Sequence, residues 1–424
     1  MSNNVLLLQG PVGPFFRRLS KELRAHGHLV FKVNFNGGDR HFYRGPDAID
    51  YSGTIGQWRD YLEKLIVRLQ IDRIYVFGDC RSYHEVAREV AEATGTRFFV
   101  FEEGYLRPDY ITLEEHGVNG HSRIRFPQAL PVVSLRPELR PRHHFSRGFF
   151  YSAWYAIRYY MAASWYRRAF PHYNHHRPLN VIGEGGKWLL SLVRKLRSVP
   201  ASRRFEGRVQ AEMSGRYFLV PLQVHNDMQV IRHSGYPNVE AFIAELVASF
   251  ARSAAPSMHL VFKHHPLDRG YRNYAVLLRD LAKRHGVSGR IHYLFDGHLP
   301  TLLKNARGTV TINSTVGLSS LHHGVPVKVM GEAIYDRKGL TYGGTLAQFW
   351  VTPGEVDMDL YHRFRRHLLD TNQLNGNFYQ RAANAANATG IVWSGTLAQQ
   401  HGILEAPPSR RRSIVPRLVK GSAA

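Results

Sequence analysis

Residues 259–270 read HLVFKHHPLDRG, an apolar strand-forming run that stops at Lys263, His264, His265 and Pro266. An ammonium group and two imidazoles at a strand end can hold an anion. The proline after them fixes its own φ and so limits how the preceding histidine is aimed. A second run, FFVFEEG, ends in Glu102 and Glu103. Two acids closing an apolar strand are costly to bury without purpose, and a carboxylate facing a cleft can act as general base or nucleophile. A capping acid or a surface ion pair is the plainer alternative. In the third, TINSTVGLSSLHHGVP, a strand passes through Asn313, Ser314 and Thr315 into a helix. Hydroxyls and unpaired amides of a first helical turn suit a phosphate, although Ser and Thr are also ordinary N-caps. FGD adds Asp79 and VPLQVHND adds Gln223 and Asp227. Metal ligation by His264 and His265 is not expected. Neighbours on extended backbone point to opposite sides, and no HExxH or Cys/His framework accompanies them.

These residues need a frame, and the chain supplies one twice. VLLLQG, a helix with Phe15, Phe16, Leu19 and Leu23 on one face, HLVFKVNF, a helix with Trp58, Leu62, Ile66 and Leu69, RIYVFGD, a helix from about Tyr83 and TRFFVFEEG alternate as βαβαβαβ. That is the pattern of a parallel sheet covered on both faces. The alternation returns with YFLVPLQV, a helix around 239–250, MHLVFKHHP, a helix around 274–285, RIHYLFD, HLPTLLKNA, GTVTINS and PVKVMG. The expected fold is α/β, with two doubly wound domains. Ligands of such sheets collect beyond the carboxyl ends of the strands. Every polar cluster above sits at such an end, so two facing sheets would gather all of them in one cleft.

The chain has 424 residues, 44% of them hydrophobic. Single cores seldom grow past roughly 250–300 residues, so two are expected. The divisions expected are 1–135, a Rossmann-like domain; 136–205, a basic aromatic insertion; 206–355, a second Rossmann-like domain; 356–400, helices packing back on the first domain; and 401–424, a basic tail. One cysteine, Cys80, excludes an internal disulfide, and no signal-like start is evident, so a cytoplasmic location is expected. The stretch 149–166, FFYSAWYAIRYYMAASWY, is interrupted by Arg158 and is too short to span a bilayer. A formal charge of +23 favours polyanions: nucleic acid, anionic lipid or phosphorylated substrates. No nucleic-acid-binding signature accompanies it. Aromatic rings among arginines at 140–175 predict a peripheral membrane contact carried by Arg147, Arg158, Arg167 and Arg168; an aromatic helix buried in the N-terminal core is the alternative.

FEEGYLRPDYITLE, FKHHP, and INSTVGLSSLHHGVPVKVMGEAIYD followed by GLTYGGTLAQFW resemble the bacterial capsule polysaccharide biosynthesis and export family, in particular its KpsS/LipB-type β-Kdo transferases. The resemblance spans about residues 75 to 350. It implies a GT-B fold with the donor in the C-terminal domain, no metal or other cofactor, and transfer of Kdo from CMP-Kdo to a phosphatidylglycerol-type lipid at the cytoplasmic face of the inner membrane. The capsule export machinery is an implied partner, and nucleic acid is not. Carried onto this chain, His265 with Ser314 and Thr315 would contact the CMP phosphate, and Glu332 the ribose. Lys263, His264, Pro266, Gln223 and Asn313 would complete the donor site. Glu102 or Glu103 would be the catalytic carboxylate, as nucleophile or base, with Asp79 in reserve. A GT-B transferase with another activated donor remains the enzymatic alternative, and a basic nucleic-acid-binding protein the alternative of another class.

Overall fold

The computed structural model describes residues 3–124, 126, 143–173 and 181–403. The basic tail expected at 401–424 lies outside them from 404 onward. Two sheets organise the chain. The first has seven strands: β1 (Asn4–Leu7), β2 (Leu29–Asn34), β3 (Ala48–Asp50), β4 (Arg73–Phe77), β5 (Arg97–Glu103), β6 (Tyr110–Glu115) and, from far along the chain, a strand at Gln373–Asn375. The second has five: β7 (Tyr217–Pro221), β8 (His259–Lys263), β9 (Ile291–Leu294), β10 (Gly308–Thr311) and β11 (Val327–Val329), which makes Gln373–Asn375 β12. Their orders are β12-β6-β5-β4-β1-β2-β3 and β11-β10-β7-β8-β9. Both are doubly wound, in the two-lobed layout expected of GT-B, and the strand order reverses between β1 and β4 and between β7 and β10.

Apolar patterning explains the helices. In Phe15–Ala25 the residues at 15, 16, 19 and 23 are all buried. Trp58, Leu62, Leu65 and Ile66 do the same for Trp58–Leu69, while Leu69 is only partly covered. The second lobe closes around Phe218, Val220, Phe242, Leu246, Phe262 and Trp350. Its sheet is parallel throughout.

The first sheet departs from the parallel pattern expected. β6 runs antiparallel to β5 on one side and to β12 on the other. The cause is length: residues 104–109 link β5 to β6, whereas a parallel crossover needs a dozen residues or more. The chain must turn back, and Gly104 lets it. A Cβ there would lie 2.2 Å from the Tyr110 carbonyl oxygen, so the glycine of FEEG is set by close backbone approach.

The turn 104–109 also joins the lobes. Tyr105 and Leu106 are buried with Leu318, Leu321 and Tyr335 of the second lobe and with Tyr361, Phe364 and Leu368 of the helix Met358–Thr371. That helix delivers β12 to the first sheet, where Gln373 accepts a hydrogen bond from the Leu106 N–H at 3.2 Å. Asp109 accepts from His144 Nδ1 at 2.7 Å and the Phe145 N–H at 2.8 Å, and its carbonyl accepts from Asn375 Nδ2 at 2.8 Å.

The aromatic stretch forms the helix Gly148–Trp165. One face docks on the first lobe: Tyr159 is buried, and its hydroxyl accepts from Asn36 Nδ2 at 2.7 Å. Gly37 and Gly38 permit this approach, since a Cβ at either would strike the Ala162 carbonyl or the Tyr159 ring. The opposite face exposes Phe150, Trp154, Ile157, Met161 and Trp165. The helix Val181–Ala211 adds exposed Trp188, Leu189, Leu192 and Leu196. No described helix is long and apolar enough to cross a membrane.

Gly104→Ala forces the β5–β6 turn apart and should cost about 1–3 kcal/mol. Chemical denaturation of the purified variant measures this; a midpoint equal to wild type would show that the turn relaxes freely.

Candidate functional site

The carboxyl ends of both sheets open on one cleft of about 830 Å³ between the lobes. The first lobe contributes Asp79 from the end of β4 and Glu102 and Glu103 from β5; the second contributes Gln223, Lys263, His264, His265, Pro266, Asn313, Ser314 and Thr315. Sequence position had scattered these residues over more than two hundred positions. Ligand-side strand ends bring them together.

His265 is the N-cap of the single turn Pro266–Asp268. Its Nδ1 accepts from the Leu267 N–H at 3.2 Å. An accepting Nδ1 carries no proton, so the neutral ring holds its proton on Nε2. Burial, then Lys263, Arg107 and other nearby cations, push its pKa down to about 4. His265 is therefore a neutral donor, aimed by a turn that Pro266 stiffens. That is why the strand ends in a rigid polar corner.

His264 has a different place. Its side chain is 1% exposed, packed on Tyr274, Tyr293 and Phe295, with Nδ1 2.8 Å from the Tyr293 hydroxyl. It supports the corner from behind. Lys263 is also buried, and desolvation lowers its pKa while Asp296 opposes the change.

Gln223 and Asn313 meet at the point where the second sheet reverses its order. Gln223 Nε2 donates to Asn313 Oδ1 at 2.9 Å and to Asp227 at 3.1 Å. Next to them Ser314 Oγ accepts from the Val316 N–H at 3.2 Å, while the Thr315 side chain makes no capping bond to the helix Val316–His322. Glu332 stands apart from the main cleft, in an adjoining crevice with Tyr105, Asn119, Asn313 and Thr315. Its carboxylate is exposed and lies 3.4 Å from His233 Nδ1.

The two acids of FEEG have distinct settings. Glu102 Oε1 accepts from the Glu103 N–H at 2.9 Å. Burial, with repulsion from Glu103 and Asp79, pushes its pKa up to about 7. Glu103 accepts from the Tyr379 hydroxyl at 3.2 Å, a partner brought by the C-terminal segment. Asp79 is 1% exposed and engaged on both oxygens: Oδ2 accepts from the Val118 N–H and His121 Nδ1, each at 3.0 Å, and the Cys80 thiol donates to Oδ1 at 3.3 Å. Burial pushes its pKa up, but these donors outweigh it and the net shift is downward. Asp79 thereby anchors the loop 117–121.

Several cleft residues escaped the sequence reading: Arg81, Arg107, Asn119, Tyr173 and Asp296. Arg107 lies within the quoted FEEGYLRPDYITLE, and Asp296 ends the strand run RIHYLFD, so the strand-end rule would have found both. Tyr173 reaches the cleft only through the packing of the insertion.

Residues 72–379 match the family described as capsule polysaccharide biosynthesis protein. The capsule polysaccharide export protein KpsS of Escherichia coli is 41% identical over 384 residues, covering 88% of this chain and 96% of that one. The capsule polysaccharide modification protein LipB of Neisseria meningitidis serogroup B is 40% identical over 388 residues, covering 90% and 92%. Among solved structures, Thermosulfurimonas dismutans KpsC, beta Kdo 2,7 transferase, aligns over 88% of this chain and 92% of its own at 13% identity, with a TM-score of 0.41. The resemblance carried by FEEG, FKHHP and INST thus extends along most of the chain, which belongs to the capsule polysaccharide biosynthesis protein family.

Proposed function

We propose that the protein is a glycosyltransferase that moves Kdo from CMP-Kdo onto a phosphatidylglycerol-type lipid and so begins the linker on which capsule is built. The observation that carries this reading is the placement of Glu102 and Glu103 in the same cleft as Lys263, His265 and Thr315. One wall offers carboxylates and the other offers donors for a phosphate, as a reaction that expels a nucleoside monophosphate requires.

The C-terminal lobe holds the donor and the N-terminal lobe receives the acceptor. Charge grows on the CMP phosphate as the bond to the sugar breaks. Fixed donors aimed at that charge lower the barrier most in a site shielded from water. The Nε2–H of His265, the Lys263 ammonium and the Thr315 hydroxyl are such donors, and Arg107 balances the sugar's own carboxylate. Glu332, in the adjoining crevice, suits a ribose hydroxyl.

Glu102 supplies the carboxylate chemistry. A base works best with a pKa near the working pH, and burial against two neighbouring acids puts Glu102 there. The same geometry allows attack on the sugar carbon as a nucleophile.

The exposed faces of Gly148–Trp165 and Val181–Ala211 fit a peripheral contact with the inner membrane. Arg147, Arg158, Arg167 and Arg168 are all exposed beside the first of them. Arginines meet anionic headgroups at about 1 kcal/mol each while tryptophans rest at headgroup level. A lipid acceptor is then reached by a protein seated on the bilayer. The capsule export machinery is a partner in keeping with the family's role.

Incubation of the purified protein with CMP-Kdo and a fluorescent phosphatidylglycerol, followed by mass spectrometry, should yield a single-sugar adduct. Failure with CMP-Kdo but success with another activated sugar would overturn the donor assignment. Glu102→Gln should lower kcat at least about 100-fold, and His265→Ala should weaken both CMP binding and turnover.

The wild-type rate should rise with pH through about 7 as Glu102 ionises. Stability runs the other way. A carboxyl held above its ordinary value keeps a proton that the unfolded chain has lost, so the folded state loses stability between about pH 4.5 and 7. Glu102→Gln removes that loss, and its melting temperature relative to wild type should climb over the same interval. A constant difference would refute the buried carboxyl.

Changing Arg147, Arg158, Arg167 and Arg168 together to Glu should abolish sedimentation with anionic liposomes without unfolding the protein. Undiminished binding would remove the membrane assignment.

A further inference from the structure

Beside the cleft, Cys80, His121 and His233 converge from three segments. Cys80 follows Asp79 beyond β4, His121 ends the loop after β6, and His233 follows the short helix Met228–Arg232 of the second lobe. The thiol sulfur and one ring nitrogen from each histidine all lie within 4.8 Å of one another. The two imidazoles meet edge to face, with centroids 4.5 Å apart.

Each ring has a carboxylate at Nδ1: Asp79 at 3.0 Å from His121, and Glu332 at 3.4 Å from His233. A carboxylate on the far nitrogen is what orients histidine ligands of metals and fixes their tautomer. His233 is 5% exposed, and its Nε2 is buried without a hydrogen-bond partner. Leaving such a nitrogen unsatisfied is costly, and a structure that tolerates it needs a reason.

We propose that Cys80, His121 and His233 form a binding site for a divalent cation of the zinc class, bridging the two lobes. Two imidazoles and one thiolate suit zinc, and three protein donors leave a fourth tetrahedral position for water or another oxygen. Bonds of roughly 2.0 Å to nitrogen and 2.3 Å to sulfur place such donors about 3.5 Å apart, so loading draws the cluster together by up to about 1.3 Å from the 4.8 Å limit.

Zinc binds the thiolate, not the thiol. Binding therefore expels its proton to solvent, and affinity rises with pH. The ion would tie the loop 117–121 of the first lobe to residue 233 of the second. Asn119, on that loop, lines both the cleft and the adjoining crevice. The site's role is positional and does not rest on the sugar chemistry proposed above.

The test uses the full chain, stripped of metal and titrated with Co²⁺. Cys80 is the sole cysteine, so a sulfur-to-cobalt charge-transfer band reports this site alone, whatever the 24 histidines bind. One equivalent should develop the band, and Zn²⁺ should displace it. Cys80→Ser should lack it, and His233→Ala should weaken Co²⁺ binding at least about 10-fold. Zn²⁺ should raise the melting temperature of the wild type and not of Cys80→Ser. If His233→Ala does not fold, His121→Ala, at the more exposed ring, gives the same comparison. A wild type without the band overturns the site, as does a Zn²⁺ shift unchanged in both histidine variants, which would assign the binding to other histidines.

Discussion

Six residues between two strands hold the molecule together. Because 104–109 is too short for a crossover, β6 must reverse, and the turn so formed projects toward the second lobe instead of passing behind the sheet. Tyr105 and Leu106 then become the first lobe's share of an apolar contact with Leu318, Leu321 and Tyr335. The Tyr105 hydroxyl accepts from the Asn119 N–H at 2.7 Å, and Asp109 takes hold of residues 144 and 145. Lobe contact, cleft loop, insertion and C-terminal return all fasten to the same turn. The acids of FEEG lie immediately before it, so whatever fixes the turn also fixes Glu102 and Glu103 across from His265.

The cleft sets two titratable groups in opposite states. On one side burial and mutual repulsion keep a proton on Glu102 to about pH 7; on the other, cations crowd His265 and keep it neutral. Both shifts begin with removal from water, which penalises the charged form of either group. A site of this kind holds a proton-accepting acid and a proton-donating ring at one pH. Asp79 shows the opposite outcome although it too is buried: donors from Val118, His121 and Cys80 stabilise its carboxylate and turn it into an anchor for the surrounding loop.

The insertion between the lobes reconciles two expectations for its aromatic residues. Gly148–Trp165 is neither wholly buried nor wholly presented outward. Tyr159, Ala162 and Ala163 close on the first lobe through the glycine pair at 37 and 38, while Trp154, Met161 and Trp165 remain outside. A helix of low polarity on all sides can serve both purposes, because burying one face requires only about half of its circumference. Val181–Ala211 likewise exposes Trp188, Leu189, Leu192 and Leu196, so both helices leave apolar side chains outside, in keeping with a protein that works against a lipid.

Much of this was legible in the residues themselves. Period-two apolar runs and 3.6-residue stripes marked the strands and helices of both lobes, since those spacings follow from backbone geometry alone. The strand-end rule marked Glu102, Lys263, His265 and Asn313 as cleft residues, because parallel sheets present their carboxyl ends to ligands whatever their sequence. The antiparallel strand β6 escaped the sequence reading, which ended the first lobe's alternation at FFVFEEG, although a link of six residues already excludes a parallel crossover. Other features depend on residues far apart in the chain: the partition of HHP into a packed His264 and a cleft-facing His265, the engagement of Asp79, the meeting of Cys80 and His121 with His233, and the Tyr379 hydroxyl on Glu103. Spacing along the chain determines which residues can share a face, but burial, hydrogen-bond partners and pKa depend on what packs against that face. Only the folded contact between lobes supplies those neighbours.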